Sequence, residues 1–129
     1  MLHETPNLPA NLDLSQLPTT APLGLDKAAI KLATEHMAKE LASLQELLYA
    51  NRTHSLLVVL QGLDTSGKDS SIKQVFRDVN PMGIDIHSFK APTTRDLAQD
   101  FLWRSHKRLP SRGLIGIFNR SHYEAAVTD

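Results

Sequence analysis

Gly62, Gly67 and Lys68 carry the G-x-x-x-x-G-K spacing within the run Gly62-Leu63-Asp64-Thr65-Ser66-Gly67-Lys68-Asp69. Two glycines let a short loop curl so that its backbone N–H groups face one point. A helix starting at the second glycine turns its positive end to the same point. Such a nest holds a phosphate, and Lys68 bridges the outer phosphate oxygens. Gly62, Thr65, Ser66, Gly67, Lys68 and Asp69 are therefore the candidate phosphate- or nucleotide-binding residues of the loop. An ordinary strand-to-helix turn with a solvated lysine is the alternative. It leaves the placement of both glycines unexplained.

The usual Ser or Thr after the lysine is here Asp69, and a second acid, Asp64, sits inside the loop. Carboxylates beside bound phosphates repel them unless a divalent cation lies between, so the pair implies Mg2+. Asp64 is the candidate metal-holding and catalytic acid. For Asp69, a helix-start acid favoured by the macrodipole explains the residue about as well. Asn119 and Arg120 follow a short apolar run, Leu114 to Phe118. In open α/β sheets ligands bind at the carboxyl ends of the strands, which puts Asn119 and Arg120 in the crevice with Lys68. An arginine there neutralises phosphate or transition-state charge.

The elements that must hold these residues are legible in the same chain of 129 residues. Four of its seven prolines fall in the first 22 positions, so residues 1–25 read as an arm or linker ahead of a domain over 26–129. Ile30, Ala33, Met37, Leu41, Leu44 and Leu48 recur at helical spacing and predict an amphipathic helix from Asp26 to about Ala50, with Lys31, Glu35 and Lys39 on its outer face. Ser55 to Gln61 reads as a strand buried on both faces. A second helix is expected over Lys68 to Asp78, a turn at Asn80 to Gly83, a strand over Ile84 to Phe89, and a capping box at Thr93 and Asp96 opening a helix to about Arg108. Strands alternating with helices predict an α/β fold, a parallel sheet with flanking helices. Trp103 reads as core, and no histidine pair has metal-ligand spacing.

Composition narrows the partners. Lysine plus arginine number 14 and aspartate plus glutamate 14, so no global charge draws nucleic acid or an anionic membrane, and a polyanion must be held locally. With no cysteine there is no disulfide framework or thiolate metal site. The longest apolar run, Leu56 to Leu60, is too short to cross a bilayer, and nothing resembles a signal peptide. A cytoplasmic protein is the expectation.

Beyond the loop, several motifs stand in register: Asn80-Pro81, then Ser88 to Thr93 (Ser-Phe-Lys-Ala-Pro-Thr), Asp100 to Arg104 (Asp-Phe-Leu-Trp-Arg), and Gly116 to Glu124 (Gly-Ile-Phe-Asn-Arg-Ser-His-Tyr-Glu). Together with Gln61 to Asp69, this series resembles the polyphosphate kinase 2 family over roughly Asp26 to Glu124. The resemblance implies a P-loop kinase-like fold and Mg2+-dependent phosphoryl transfer between inorganic polyphosphate and a nucleoside mono- or diphosphate. By position it implies that Gly67 and Lys68 hold phosphates, Asp64 serves the metal and the acceptor, and Arg120 belongs to the catalytic pocket. Lys90 and Arg104 are implied phosphate contacts. Relatives often carry aspartate at the position of Asn119, and the Asn-Arg-Ser-His-Tyr-Glu version resembles a subgroup acting on nucleoside mono- and diphosphates. Family members continue into further strands and a basic helical lid and are expected to be homo-oligomers. The reading is thus of a domain truncated before the lid and last strands. Two alternatives share the loop: an ATP-dependent small-molecule kinase, and a non-catalytic remnant that binds phosphate or nucleotide.

Overall fold

The computed structural model describes Gly24 and residues 26–123. The expected arm, apart from Gly24, lies outside the described residues. Helix α1 (Lys27–Asn51) begins where the Asp26 side chain accepts a 2.8 Å hydrogen bond from the Ala28 N–H, and ends at Arg52, whose left-handed backbone returns its N–H to the Leu48 carbonyl. Strand β1 (Leu56–Leu60), helix α2 (Lys68–Val75), a 3-10 turn (Pro81–Gly83) and strand β2 (Ile84–Ser88) follow. Two single-turn helices, α3 (Thr94–Leu97) and α4 (Trp103–His106), lead to strand β3 (Ile115–Asn119).

The sheet is parallel with strand order β1-β3-β2. Its register sets Leu60, Asn119 and Ser88 side by side, so all three strands end in one row. Two bonds extend the ladder past that row: the Phe89 N–H donates to the Asn119 carbonyl at 3.1 Å, and the Arg120 N–H to the Leu60 carbonyl at 2.9 Å. The segments after the three strands are thereby held together at one edge of the sheet.

Among the described strands only β3 has neighbours on both sides, and it alone is buried along most of its length. Ile115, Ile117 and Ile72 of α2 form the core centre, with Leu48, Val58, Leu60, Phe76 and Ile84 packed against them. The expectation of a β1 covered on both faces is corrected. Leu56, Leu57 and Val59 are exposed, because β1 is an edge strand among the described residues. The face of α1 is also rotated from the expected one. Ala38 and Gln45 are its buried residues, with Leu41 and Leu48 half-buried, while Ile30, Met37 and Leu44 face out. Gln45 lies directly against Gly83, where a Cβ atom would come within 1.6 Å of its Nε2. Close approach to a glycine, rather than apolar periodicity alone, decides which face docks.

The expected helix from Thr93 to Arg108 is broken. The Leu102 N–H turns to the Asp100 carboxylate at 2.9 Å and the Trp103 N–H to the Asp100 carbonyl at 3.1 Å, so an Asx turn replaces the middle of the helix. Trp103 is half-buried rather than core, with Lys107 Nζ 4.1 Å and the Arg95 guanidinium 5.5 Å from its ring centre. Helix α2 stops at Val75, three residues short of Asp78.

Candidate functional site

The row of strand ends opens on a cavity of about 560 Å³. Its walls come from three places: the loop from Asp64 with the first turn of α2, the Ser88–Ala91 strap after β2, and Asn119 with Arg120 after β3. Ten of the predicted residues are thus gathered here: Asp64, Thr65, Ser66, Gly67, Lys68, Asp69, Lys90, Asn119 and Arg120 line the cavity, and Gly62 shapes the loop behind it.

At Gly62 an added Cβ atom would sit 2.9 Å from Ser66 Oγ, so the turn closes only without a side chain. Gly67 has φ +88° and open space beside it, so its glycine serves backbone conformation. Thr65, β-branched, adopts the same left-handed region at φ 65°, as does Arg120 at φ 70°. Two non-glycine residues held in this sparsely populated region flank one cavity, as happens where function fixes the backbone.

Gly67 caps α2 without a side-chain hydrogen bond. No capping oxygen competes for the N–H groups of the first turn, which have no intrahelical acceptor, and Lys68, Asp69 and Ser70 line the cavity. Lys68 bends back over the loop: its Nζ donates to the Gly62 carbonyl at 2.6 Å and the Leu63 carbonyl at 2.8 Å, with Ser66 Oγ at 3.4 Å. The ammonium is held at the loop by weakly basic partners that a phosphate oxygen outcompetes.

Across the cavity the Arg120 guanidinium pairs with the Asp64 carboxylate, and the Asn119 side-chain amide donates to Asp69. Each loop acid is therefore met by a donor from the end of β3. Asn119 Oδ1 is buried and has no hydrogen-bond partner. The acids fit a cation held jointly with substrate. Among the described residues no three His, Cys, Asp or Glu side chains gather into a protein-only cage, and Mg2+ typically takes one or two carboxylates and completes its shell with phosphate oxygens and water.

Arg104 is the predicted residue that the structure places elsewhere. Its Nη1 donates to the Lys90 carbonyl at 2.8 Å and its guanidinium lies 5.3 Å from the centre of the buried Phe89 ring. It braces the strap from behind rather than lining the loop cavity, because the Asx turn at Asp100 reorients α4. Sequence reasoning gave no role to Ser121 and Gln61. Ser121 is fully buried, and its hydroxyl donates to Gln61 Oε1 at 3.0 Å, tying the ends of β3 and β1 together just beyond the cavity. The available signal was positional, since each is a polar residue at the end of an apolar strand.

The chain matches the polyphosphate kinase 2 (PPK2) family over residues 24–129. It belongs to the polyphosphate kinase 2 family. Within the family, an AMP/ADP-polyphosphate phosphotransferase of Meiothermus ruber is 49% identical over 106 residues, which are 82% of this chain and 39% of that protein. An ADP-polyphosphate phosphotransferase of Rhodopseudomonas palustris is 41% identical over 117 residues, 90% of this chain and 40% of that protein. The crystal structure of polyphosphate kinase 2 from Arthrobacter aurescens TC1 superposes with a TM-score of 0.81 at 34% identity, covering 91% of this chain and 44% of that one. The P-loop kinase-like α/β fold expected from the sequence is the fold of these family members. The chain spans about 40% of the length of the curated relatives it matches.

Proposed function

We propose that this chain contributes the phosphate-binding half of an enzyme that transfers a phosphoryl group between inorganic polyphosphate and a nucleoside mono- or diphosphate, with Mg2+ as cofactor. One observation carries the reading: the loop amides, Lys68 and Arg120 converge on a single cavity at the strand ends. The names of the relatives, which mention AMP, ADP and polyphosphate, support the substrate pair.

In this reading the α2 amides and Lys68 hold the terminal phosphates of the chain. An acceptor phosphate oxygen attacks the terminal phosphorus in line, a new P–O bond forms, and the anhydride bond to the next phosphate breaks. The bridging oxygen and its electron pair leave with the shortened chain. Lys68 exchanges its carbonyl partners for phosphate oxygens, and Arg120 turns from Asp64 to the charge that builds on the moving group. Asp64, once released from Arg120, would hold the cation together with the phosphates, and Asp69 is kept in place by Asn119. When bound, Mg2+ screens the phosphate oxygens from the carboxylates and from one another. The protein's location is read as cytoplasmic, and among the described residues no helix is long and apolar enough to cross a membrane.

The test is donor competition. The chain is joined to the carboxy-terminal part of the Meiothermus ruber relative and supplied with ADP, Mg2+ and either polyphosphate or a second nucleoside triphosphate as donor. Turnover with polyphosphate, lost on chelation of Mg2+, is the expected result. Turnover sustained only by the nucleoside triphosphate would replace the proposal with an ATP-type small-molecule kinase.

A further inference from the structure

Behind the phosphate loop, where β1 and β3 end side by side, the chain buries a hydroxyl. Ser121 is fully buried, and its Oγ lies 3.1 Å from the Tyr123 backbone nitrogen and 3.0 Å from Gln61 Oε1. A backbone N–H only donates, so the hydroxyl accepts from Tyr123 and gives its single proton to Gln61. The bond to Gln61 joins residues 60 positions apart in the chain. One of its ends adjoins the anchor of Lys68 and the other adjoins Arg120. Gln61 precedes Gly62, whose carbonyl holds Lys68 Nζ at 2.6 Å, and Ser121 follows Arg120, whose guanidinium pairs with Asp64.

Arg120 is thereby held on both sides. Its own N–H donates to the Leu60 carbonyl at 2.9 Å, and the residue after it is fastened to Gln61, so two successive residues after β3 are tied to two successive residues at the end of β1. Its backbone is left-handed at φ 70°, a conformation that a non-glycine residue keeps only where its surroundings impose it. Packing alone does not ask for a hydroxyl here. A buried hydrogen bond adds little net stability over a well-packed apolar side chain of the same shape, but it is directional. An oxygen that must meet Gln61 and Tyr123 at once has one orientation, and it fixes the point from which Arg120 leaves the sheet. We propose that Ser121 is a positioning residue for the transfer: through Gln61 it sets Arg120 in register with the phosphate loop, so that the guanidinium and the Lys68 ammonium meet one phosphoryl group. The proposal rests on the phosphoryl-transfer reading of the cavity.

Steady-state kinetics test it, on the chain joined to the carboxy-terminal part of the Meiothermus ruber relative, with polyphosphate, ADP and Mg2+. Ser121→Ala removes one oxygen and keeps the shape, and Gln61→Met breaks the same bond from its other end. The expected kcat is lower by about tenfold in each, while KM for both substrates stays within about twofold, because a small misplacement at the reacting group costs rate rather than binding. Arg120→Ala is the reference. Adding Ser121→Ala to it is expected to lower kcat by less than about twofold more, since the hydroxyl acts through that arginine. A parental kcat in Ser121→Ala overturns the proposal. So does a further loss of about tenfold in the Arg120→Ala background, which is the mark of a general structural role. Absence of polyphosphate-dependent turnover in the parent overturns instead the reading on which the proposal rests.

Discussion

At the scale of single residues, the proposed chemistry rests on how Asp64 and Asp69 share one cavity with Lys68, Lys90 and Arg120. Asp64 faces Arg120, and Asp69 faces Asn119. These pairings make opposite predictions for two conservative changes. Asp64→Asn keeps the shape but removes the charge that attracts a cation, and the Mg2+ concentration for half-maximal rate is expected to rise about tenfold or more. Asn119→Asp sets a second carboxylate against Asp69, and two close carboxylates ionise together only with a cation between them. Mg2+ is therefore expected to raise the melting temperature of that variant more than that of the parent. Rate titrations and melting curves against Mg2+ measure both. An Asp64 variant with unchanged Mg2+ dependence returns that residue to a helix-start role. The loop was legible because its shape demands particular residue types, glycines where a Cβ clashes or φ is positive, and because a lysine follows at the helix start. The position of Arg104 behind the strap was not legible, for the opposite reason. A long basic side chain serves a phosphate or a backbone carbonyl equally well, and nothing in its spacing tells which.

At the scale of elements, the fold depends on β3 and on well-placed helix starts. Ile117 is fully buried between two strands, so Ile117→Ala is expected to cost about 2–5 kcal/mol, read from the denaturant midpoint. A result below about 1 kcal/mol would mean that β3 is not the core strand. The capping box predicted from Thr93 and Asp96 is present with both reciprocal bonds. Two bonds donated to the carboxylate, first from the Thr93 backbone N–H and then from its hydroxyl, hold the Asp96 carboxyl below its ordinary value of 3.8. A depressed folded value means that ionised Asp96 favours the folded turn fully above about that pH, and that the benefit disappears as pH falls through the lower value. Amide protection at α3, taken relative to the intrinsic exchange rate at each pH, should therefore fall at acid pH in the parent. In Thr93→Ala it should be low already at neutral pH, and equal protection in the two proteins would remove the box from the account. Helix and strand existence followed from periodicity and caps. The break at Asp100 did not, because an Asx turn and a helix interior place the same residue types in the same order. The docking face of α1 also escaped periodicity, since Gln45 against Gly83 is a contact between distant segments.

At the scale of the whole molecule, a parallel sheet of three described strands leaves β1 and β2 as edges, with Leu56, Val59 and Ile86 exposed. Exposed apolar edges recruit further strands. The isolated chain is expected to self-associate on size-exclusion chromatography, and Val59→Lys to shift it towards the monomer. A parent that elutes as a monomer at all concentrations would contradict this. The cavity is made by the row of strand ends rather than by these exposed edges, and the proposal for it is that Lys68 handles the phosphoryl group of polyphosphate. The most direct measurement uses terminally radiolabelled polyphosphate and ADP with the chain joined to its Meiothermus ruber counterpart, comparing the parent with Lys68→Ala. The account predicts label in the nucleoside triphosphate for the parent and a rate lower by about a hundredfold or more for the variant, the usual loss when one preorganised electrostatic contact is removed. Label transfer at a similar rate in both proteins would contradict it.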